Sequence, residues 1–198
     1  MRDSDVRAAI KDWLGAKYGA DPDTRIVEEM GIWSGSVRVD IAVINGSLNG
    51  YEIKSDRDTL SRLPFQQDLY SRVFDTVELI VGRRHVEKAT TLIPDWWGVT
   101  LATDDTGLID LTPVRLAQTN PAIDAFLVAQ LLWKEEAIAI LNTHGLARGW
   151  KSKRAKLVHQ HLAASMPLEQ LRSHVRTALK NRAGWLKATA SAQVQCVG

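Results

Sequence analysis

The sequence predicts an α/β core followed by an α-helical annex. In the first part of the chain, short runs of β-forming residues alternate with helical periods, whereas beyond residue 119 the apolar residues follow long helical periods. Charge divides the chain at nearly the same place. Residues 1–120 hold 14 Lys and Arg against 19 Asp and Glu, and residues 121–198 hold 11 against 4. We therefore expect a core over 1–118 and a basic annex over 119–198 that packs on it.

The core elements are predicted in the order αβββαβ. Val6, Ile10 and Leu14 recur at helical spacing and predict the first helix. Three runs of β-formers separated by glycine-containing turns predict a meander, and a second helical period tolerates Pro64 in its first turn. The predicted bounds are a helix over 4–18, strands over 25–30, 37–44 and 50–54, a helix over 60–74 and a strand over 76–81.

Smaller β elements and three longer helices complete the prediction. A short helix is expected over 86–93, and a hairpin over 99–111 turns at 104–107. The annex patterns predict helices over 123–142, 152–164 and 168–183, the last preceded by Pro167.

Composition excludes several classes of protein. The single cysteine, Cys196, excludes an internal disulfide and a cysteine-based zinc site. No run approaches the ~20 apolar residues that span a bilayer, and acidic residues replace the apolar stretch of a signal peptide at the N-terminus. We therefore expect a cytoplasmic protein with no membrane partner.

Acidic residues on two neighbouring strands are candidate metal ligands. Asp40 and Glu52 lie one in each strand, and Lys54 shares a strand face with Glu52. Strict alternation also predicts that the apolar residues at 37, 39, 41 and 43 share the face opposite Asp40. Carboxylate oxygens are the ligands that Mg²⁺ and Mn²⁺ prefer, so paired strands would bring a candidate metal site together.

Strand register decides whether the two acids meet. A two-residue turn at Asn45–Gly46 would place Asp40 opposite Tyr51 and away from Glu52. A three-residue loop over 45–47 would instead place Asp40 opposite Glu52. The metal hypothesis therefore requires an odd loop or a bulge between these strands.

Asp40 and the run Glu52-Ile53-Lys54 resemble the D…(D/E)XK signature of the PD-(D/E)XK nuclease superfamily, whose core is a mixed sheet in the order αβββαβ. Gln66 and Tyr70, which lie on one helical face, resemble the Gln-xxx-Tyr motif of its RecB-type branch. Over roughly residues 1–115 the chain is similar to an uncharacterised bacterial family placed in that superfamily. The signature departs from its name only in having Val39 where the proline stands.

The resemblance implies a metal-dependent nuclease whose substrate is nucleic acid, with DNA the favoured one. Asp40 and Glu52 are then the ligands of Mg²⁺ or Mn²⁺, and the Ile53 carbonyl is a further ligand. Lys54 is implied to orient or deprotonate the attacking water. Such chemistry is coherent because a metal ion offsets phosphate charge and lowers the pKa of bound water.

Three more residues receive roles from the same resemblance. Glu29 is the implied third acid, and Glu28 stays open as its rival by one residue. Gln66 and Tyr70 are implied to contact the scissile region or to hold the Lys54 end of the site.

Basic residues of the annex are candidate nucleic-acid contacts. Such rows can lie along a phosphate backbone, although they carry no base-reading information. A merely solvated basic face is the alternative interpretation. The candidates are Lys151, Lys153, Arg154 and Lys156 on one helix, and Arg172, Arg176 and Lys180 at helical spacing on the next.

Other interpretations stay open at this stage. Asp40, Glu52 and Lys54 could form a half-buried ion-pair network. The chain could also be a non-catalytic DNA-binding or DNA-repair accessory module that keeps the fold, or act as a homodimer or with a protein partner. Trp33, in a glycine-flanked loop, could stack on a base, although packing is the favoured interpretation.

Overall fold

The computed structural model describes residues 2–33 and 35–183. Cys196 and the end of the predicted annex lie outside these residues. The elements are α1 (Asp3–Tyr18), β1 (Arg25–Ile32), β2 (Val37–Ile44), β3 (Leu48–Lys54), α2 (Leu63–Tyr70), β4 (Thr76–Gly82), α3 (Val86–Thr90), β5 (Gly98–Thr103), β6 (Asp110–Arg115), α4 (Ala125–Ala129), α5 (Lys134–Thr143), α6 (Ala155–Ala164) and α7 (Leu168–Asn181).

The strands form one mixed sheet of six, in the order β1-β2-β3-β4-β5-β6. Strand β3 pairs parallel with β4, and β4 pairs parallel with β5, whereas the other neighbours are antiparallel. The α/β class is therefore confirmed, with a mixed sheet and several helices. No helix within 2–33 and 35–183 is both long and apolar enough to cross a membrane.

Two hydrophobic clusters hold the helices to the sheet. One cluster joins α1 to the sheet through Val6, Ile10 and Leu14, which pack with Ile41 and other strand residues. The other cluster contains α2, apolar residues of the strands and buried residues of α4 to α7. Burial of this continuous apolar surface, worth roughly 25 cal/mol per Å², keeps the annex helices against the core.

The prediction of one helix over 123–142 is wrong. Helices α4 and α5 are separate, and residues 130–133 lie between them. The Asp124 side chain accepts hydrogen bonds from the backbone of Phe126 and Leu127, which starts α4. Glu136 accepts a 2.7 Å hydrogen bond from the backbone N–H of Trp133, which starts α5. Each helix thus has its own N-terminal cap, and the apolar period continues across the break.

Of the two registers considered for β2 and β3, the structure has the one with the odd loop. Ile44 lies opposite Leu48, so the connecting loop has three residues, and Ile41 lies opposite Tyr51. The pairing ends at Ile41 and Tyr51, and the next positions in the same register are Asp40 and Glu52, as the metal hypothesis requires.

The prediction that residues 37, 39, 41 and 43 share one face of β2 is wrong, because the strand is irregular at Asp40. Strands β1 and β2 pair on both sides of the opposed residues Glu29 and Asp40 but not at that position, where Glu29 has a φ of 51°. Val37 and Val39 consequently lie in the cluster with α2, whereas residues 41 and 43 lie in the cluster with α1. This irregularity leaves both acidic side chains beside the end of the β2–β3 ladder.

Candidate active site

An open cleft of about 700 Å³ lies where β2 and β3 separate, between the first turns of α1 and α2. Both acidic and basic side chains line this cleft. Of the residues predicted from the sequence, the cleft brings together Glu29, Asp40, Glu52, Ile53, Lys54 and Gln66.

Glu52 is the most constrained carboxylate in the cleft. Its Oε1 accepts hydrogen bonds from Lys54 Nζ at 2.5 Å and from Gln66 Nε2 at 2.6 Å. The Tyr70 hydroxyl lies 2.8 Å from Glu52 Oε2 and 2.8 Å from the carbonyl oxygen of Arg38. Because Gln66 and Tyr70 are one turn apart on α2, this helix holds both Glu52 oxygens.

Burial of this cluster changes the protonation of Glu52. Desolvation and the negative charge of Asp40 raise the pKa of Glu52 to about 7, although Lys54 and the Tyr70 hydrogen bond oppose the rise. Burial also raises the pKa of the Tyr70 hydroxyl, and the adjacent Glu52 adds to that effect. A cation placed beside Glu52 would favour its ionised form.

Packing fixes the Tyr70 ring behind Glu52. The ring stacks on Trp97 with a centroid separation of 6.1 Å and meets Phe74 edge to face at 5.5 Å. Trp97 is itself fully buried, and its indole N–H donates to Ser71 Oγ. The aromatic stack therefore positions the hydroxyl that holds Glu52.

Asp40 is held at the point where the β2–β3 ladder ends. Its Oδ2 accepts a 2.7 Å hydrogen bond from the backbone N–H of Ile53. This N–H lies beyond the last paired residues of β2 and β3. Its Oδ1 accepts a 2.7 Å hydrogen bond from Arg7 of α1.

Arg7 is a residue of the cleft that the sequence analysis missed. Its guanidinium also donates to the Asp40 carbonyl at 3.1 Å and forms ion pairs with Glu29 at 3.1 Å and Asp3 at 3.3 Å. It thus bridges acids from three elements. The i, i+4 pair of Asp3 and Arg7 was the only sequence signal, and such pairs are usually surface features.

The structure places the two rival acids differently. Glu29 lines the cleft beside Arg7 and opposite Asp40. Glu28 instead pairs with Lys11 of α1 at 2.6 Å and does not line the cleft. Of these two acids, Glu29 is therefore the one that belongs to the cleft.

The donor set fits a divalent cation held by few protein ligands. Two carboxylates suit Mg²⁺, which keeps several waters and also takes phosphate oxygens from its substrate. Within the described residues no group of three or more Asp, Glu, His or Cys side chains is assembled for a metal ion. Gln66 Oε1 is buried and lacks a partner among these residues, so the wall of the cleft also retains an unused acceptor.

Comparison with known proteins identifies a family. Residues 1–192 match the family described as bacteriophage P4 protein cII. The chain belongs to this family. It is 28% identical over 182 residues to protein cII of Enterobacteria phage P4, an alignment that covers 92% of this chain and 68% of that relative.

One solved structure was also found to be similar to this cII-family chain. It is a protein of unknown function from Silicibacter pomeroyi, with 22% identity over 67% of this chain and 86% of the other. Its TM-score of 0.38 is too low to support an argument about the fold. Neither of these two proteins has a name that states an activity.

The predicted nucleic-acid contacts divide into two groups in this cII-family chain. Lys151, Lys153, Arg154 and Lys156 are all exposed at or before the start of α6. Arg172 and Arg176 of α7 instead form ion pairs with the buried Asp75 and with Glu169, and Lys180 binds Asp23 at 2.6 Å. Arg172 and Arg176 therefore hold α7 against the buried Asp75, a role that their spacing alone did not reveal.

Proposed function

We propose that this cII-family chain is a metal-dependent nuclease that hydrolyses phosphodiester bonds of DNA in the cleft. The observation that carries the proposal is the register that sets Asp40 opposite Glu52, with Lys54 beside them. The PD-(D/E)XK fold is part of the same proposal. It is supported by the order of the first six elements and by Gln66 and Tyr70, whose side chains reach Glu52.

In the proposed mechanism, Asp40 and Glu52 would hold Mg²⁺ or Mn²⁺, with the Ile53 carbonyl as a further ligand. The ion supplies neutralisation of phosphate charge and lowers the pKa of the attacking water. The Lys54 ammonium orients that water and offsets charge on the phosphate as the bond to it forms. Arg7 holds Asp40 against the Ile53 backbone, so the carboxylate keeps its orientation.

The exposed cations near α6 supply the proposed hold on DNA. Lys151 and Lys153 lie in the connection between α5 and α6, and Arg154 and Lys156 follow at the helix start. Contacts of this kind release counterions and give affinity without sequence preference. The proposed contact with DNA does not involve Arg172 and Arg176, which form ion pairs within the fold.

A specific observation favours a second candidate, a DNA-binding module without catalysis. All four carboxylate oxygens of Asp40 and Glu52 already accept hydrogen bonds from protein groups, and Arg7 forms ion pairs with Asp40 and Glu29. Such a closed network could be purely structural. It predicts salt-sensitive DNA binding with no metal-dependent cleavage.

The two candidates are separated by a cleavage assay on plasmid, linear duplex, single-stranded DNA and RNA, each with Mg²⁺, Mn²⁺ or EDTA. Glu52→Gln is the test variant. Glu78→Gln is its matched control, because Glu78 is a largely shielded glutamate that binds Thr100 at 2.7 Å away from the cleft. The nuclease proposal expects cleavage that Glu52→Gln abolishes and Glu78→Gln retains. Absence of cleavage on every substrate, or full cleavage by Glu52→Gln, would overturn it.

A further inference from the structure

Two large aromatic side chains stand exposed beside the cleft. Trp33 is 44% exposed and Phe65 is 51% exposed, and their ring centroids are 6.4 Å apart at an interplanar angle of 52°. Phe65 begins an apolar helical row, but only the later members of that row, Leu69 and Val73, are buried. The core therefore does not account for either ring.

The backbone holds Trp33 in an uncommon conformation. Its φ is 50°, in the left-handed region that is costly for a bulky residue. The Trp33 carbonyl accepts hydrogen bonds from Ser36 Oγ at 2.6 Å and from Ser36 N at 3.3 Å. This turn fixes the direction of the chain as it leaves β1 and keeps the indole next to Phe65.

The aromatic pair is continuous with the proposed catalytic groups. Phe65 lines the cleft, and the next residue on α2 is Gln66, which binds Glu52. Two exposed guanidinium groups, those of Arg38 and Arg62, line the same cleft. Neither forms an ion pair with any residue that the structure describes. Aromatic faces and free cations thus occur together at one opening.

We propose that Trp33 and Phe65 form a stacking platform for an unpaired nucleobase, with Arg38 and Arg62 on the flanking phosphates. In a duplex, neighbouring pairs cover the faces of each base, so an aromatic side chain can stack only on a base in a single strand or at an open end. Aromatic stacking combined with a cationic groove is the general mode by which proteins bind single strands. The inference rests on the proposed function in that it assigns nucleic acid to the cleft, and it names the substrate as single-stranded.

The test is binding of the full-length chain in EDTA to a fluorescein-labelled single-stranded 15-mer and to the matching duplex, followed by fluorescence anisotropy. Trp33→Ala and Phe65→Ala are the test variants. Trp13→Ala is the matched control, because Trp13 is 45% exposed on α1, packs edge to face on Tyr51 and does not line the cleft. Circular dichroism and thermal unfolding establish that each variant is folded.

The platform predicts tighter binding of the single strand than of the duplex. Each test variant should weaken single-strand binding about tenfold, in the range that loss of one stacked base gives, and should affect duplex binding less. Trp33→Phe should retain most of the affinity, and Trp13→Ala should retain all of it.

Other outcomes overturn the inference. Unchanged single-strand affinity in Trp33→Ala and Phe65→Ala would contradict it, as expected if the rings instead dock a protein. Equal losses on both forms of DNA, or no binding to either, would also contradict it. Because the assay contains no metal, its result is separate from cleavage. If Glu52→Gln abolishes cleavage but Trp33→Ala binds normally, the nuclease proposal is supported and the stacking platform is contradicted. If binding depends on Trp33 and Phe65 but no cleavage occurs, the stacking platform is supported and the nuclease proposal is contradicted.

Discussion

Replacing Glu52 by Gln should remove a pH dependence of stability from the metal-free protein. The pKa of Glu52 in the folded protein is raised from 4.5 to about 7, chiefly by burial. Between these values the unfolded chain has lost the proton and the folded protein still holds it. The contribution of Glu52 to stability is therefore fully present below about pH 4.5 and is lost as the pH rises through about 7.

The size of the effect follows from the two pKa values. At about 1.4 kcal/mol per pH unit, a rise from 4.5 to about 7 corresponds to a change of about 3 kcal/mol in the free energy of unfolding. Gln can keep the geometry, because its carbonyl can accept from Lys54 and Gln66. Its amide N–H can donate to the Tyr70 oxygen, whose own proton then goes to the Arg38 carbonyl.

The assay is urea unfolding in EDTA at intervals from pH 4 to pH 8. The stability of Glu52→Gln minus that of the unmodified protein should rise by about 3 kcal/mol across this range. Glu87→Gln, which replaces an exposed carboxylate on α3, is the control and should give a flat difference. A flat difference for Glu52→Gln as well would refute the reasoning, because it would mean that burial of Glu52 does not penalise its charge.

Two further predictions separate the basic groups of the annex. The double variant Lys151→Ala, Lys153→Ala should reduce the slope of log affinity for DNA against log salt by about 1 to 2, without a change in the free energy of unfolding. A slope equal to that of the unmodified protein would show that these lysines do not contact DNA. Arg172→Ala should lower the free energy of unfolding by about 2–4 kcal/mol, because the buried Asp75 loses the closer of its two ion pairs. The measurement is urea unfolding. If Arg172→Ala has the same free energy of unfolding as the unmodified protein, the prediction is wrong and the ion pair with Arg176 alone is enough to stabilise the charge of Asp75.

The sequence restricted the β2–β3 register to two alternatives, because the register depends on whether the loop is odd or even in length. A one-residue change in the loop reverses the face of every following side chain, and only the odd loop agrees with a metal site shared by Asp40 and Glu52. The i, i+4 spacing of Gln66 and Tyr70 likewise predicts that both lie on one side of α2, and in the structure both bind Glu52.

The parts that could not be predicted depend on long-range contacts. Arg172 lies 97 residues from Asp75, and nothing in the spacing of basic residues on α7 indicates that partner. Arg7 reaches Asp40 only because α1 packs on the sheet beside the irregular position at Glu29. Phe65 has the period of a core residue, but it lies in the first turn of α2, where the helix borders the cleft.

The most direct test of the central claim compares the DNA cleavage rates of two acid variants in Mg²⁺ or Mn²⁺. Asp40→Asn changes the cleft, whereas Glu28→Gln changes a carboxylate of β1 that pairs with Lys11 outside it. We expect Asp40→Asn to lower the rate at least about 100-fold, since a bound metal ion contributes several kcal/mol to such a reaction, and Glu28→Gln to cleave normally. Equal rates for the two variants would contradict the assignment of the cleft as a metal-dependent nuclease site.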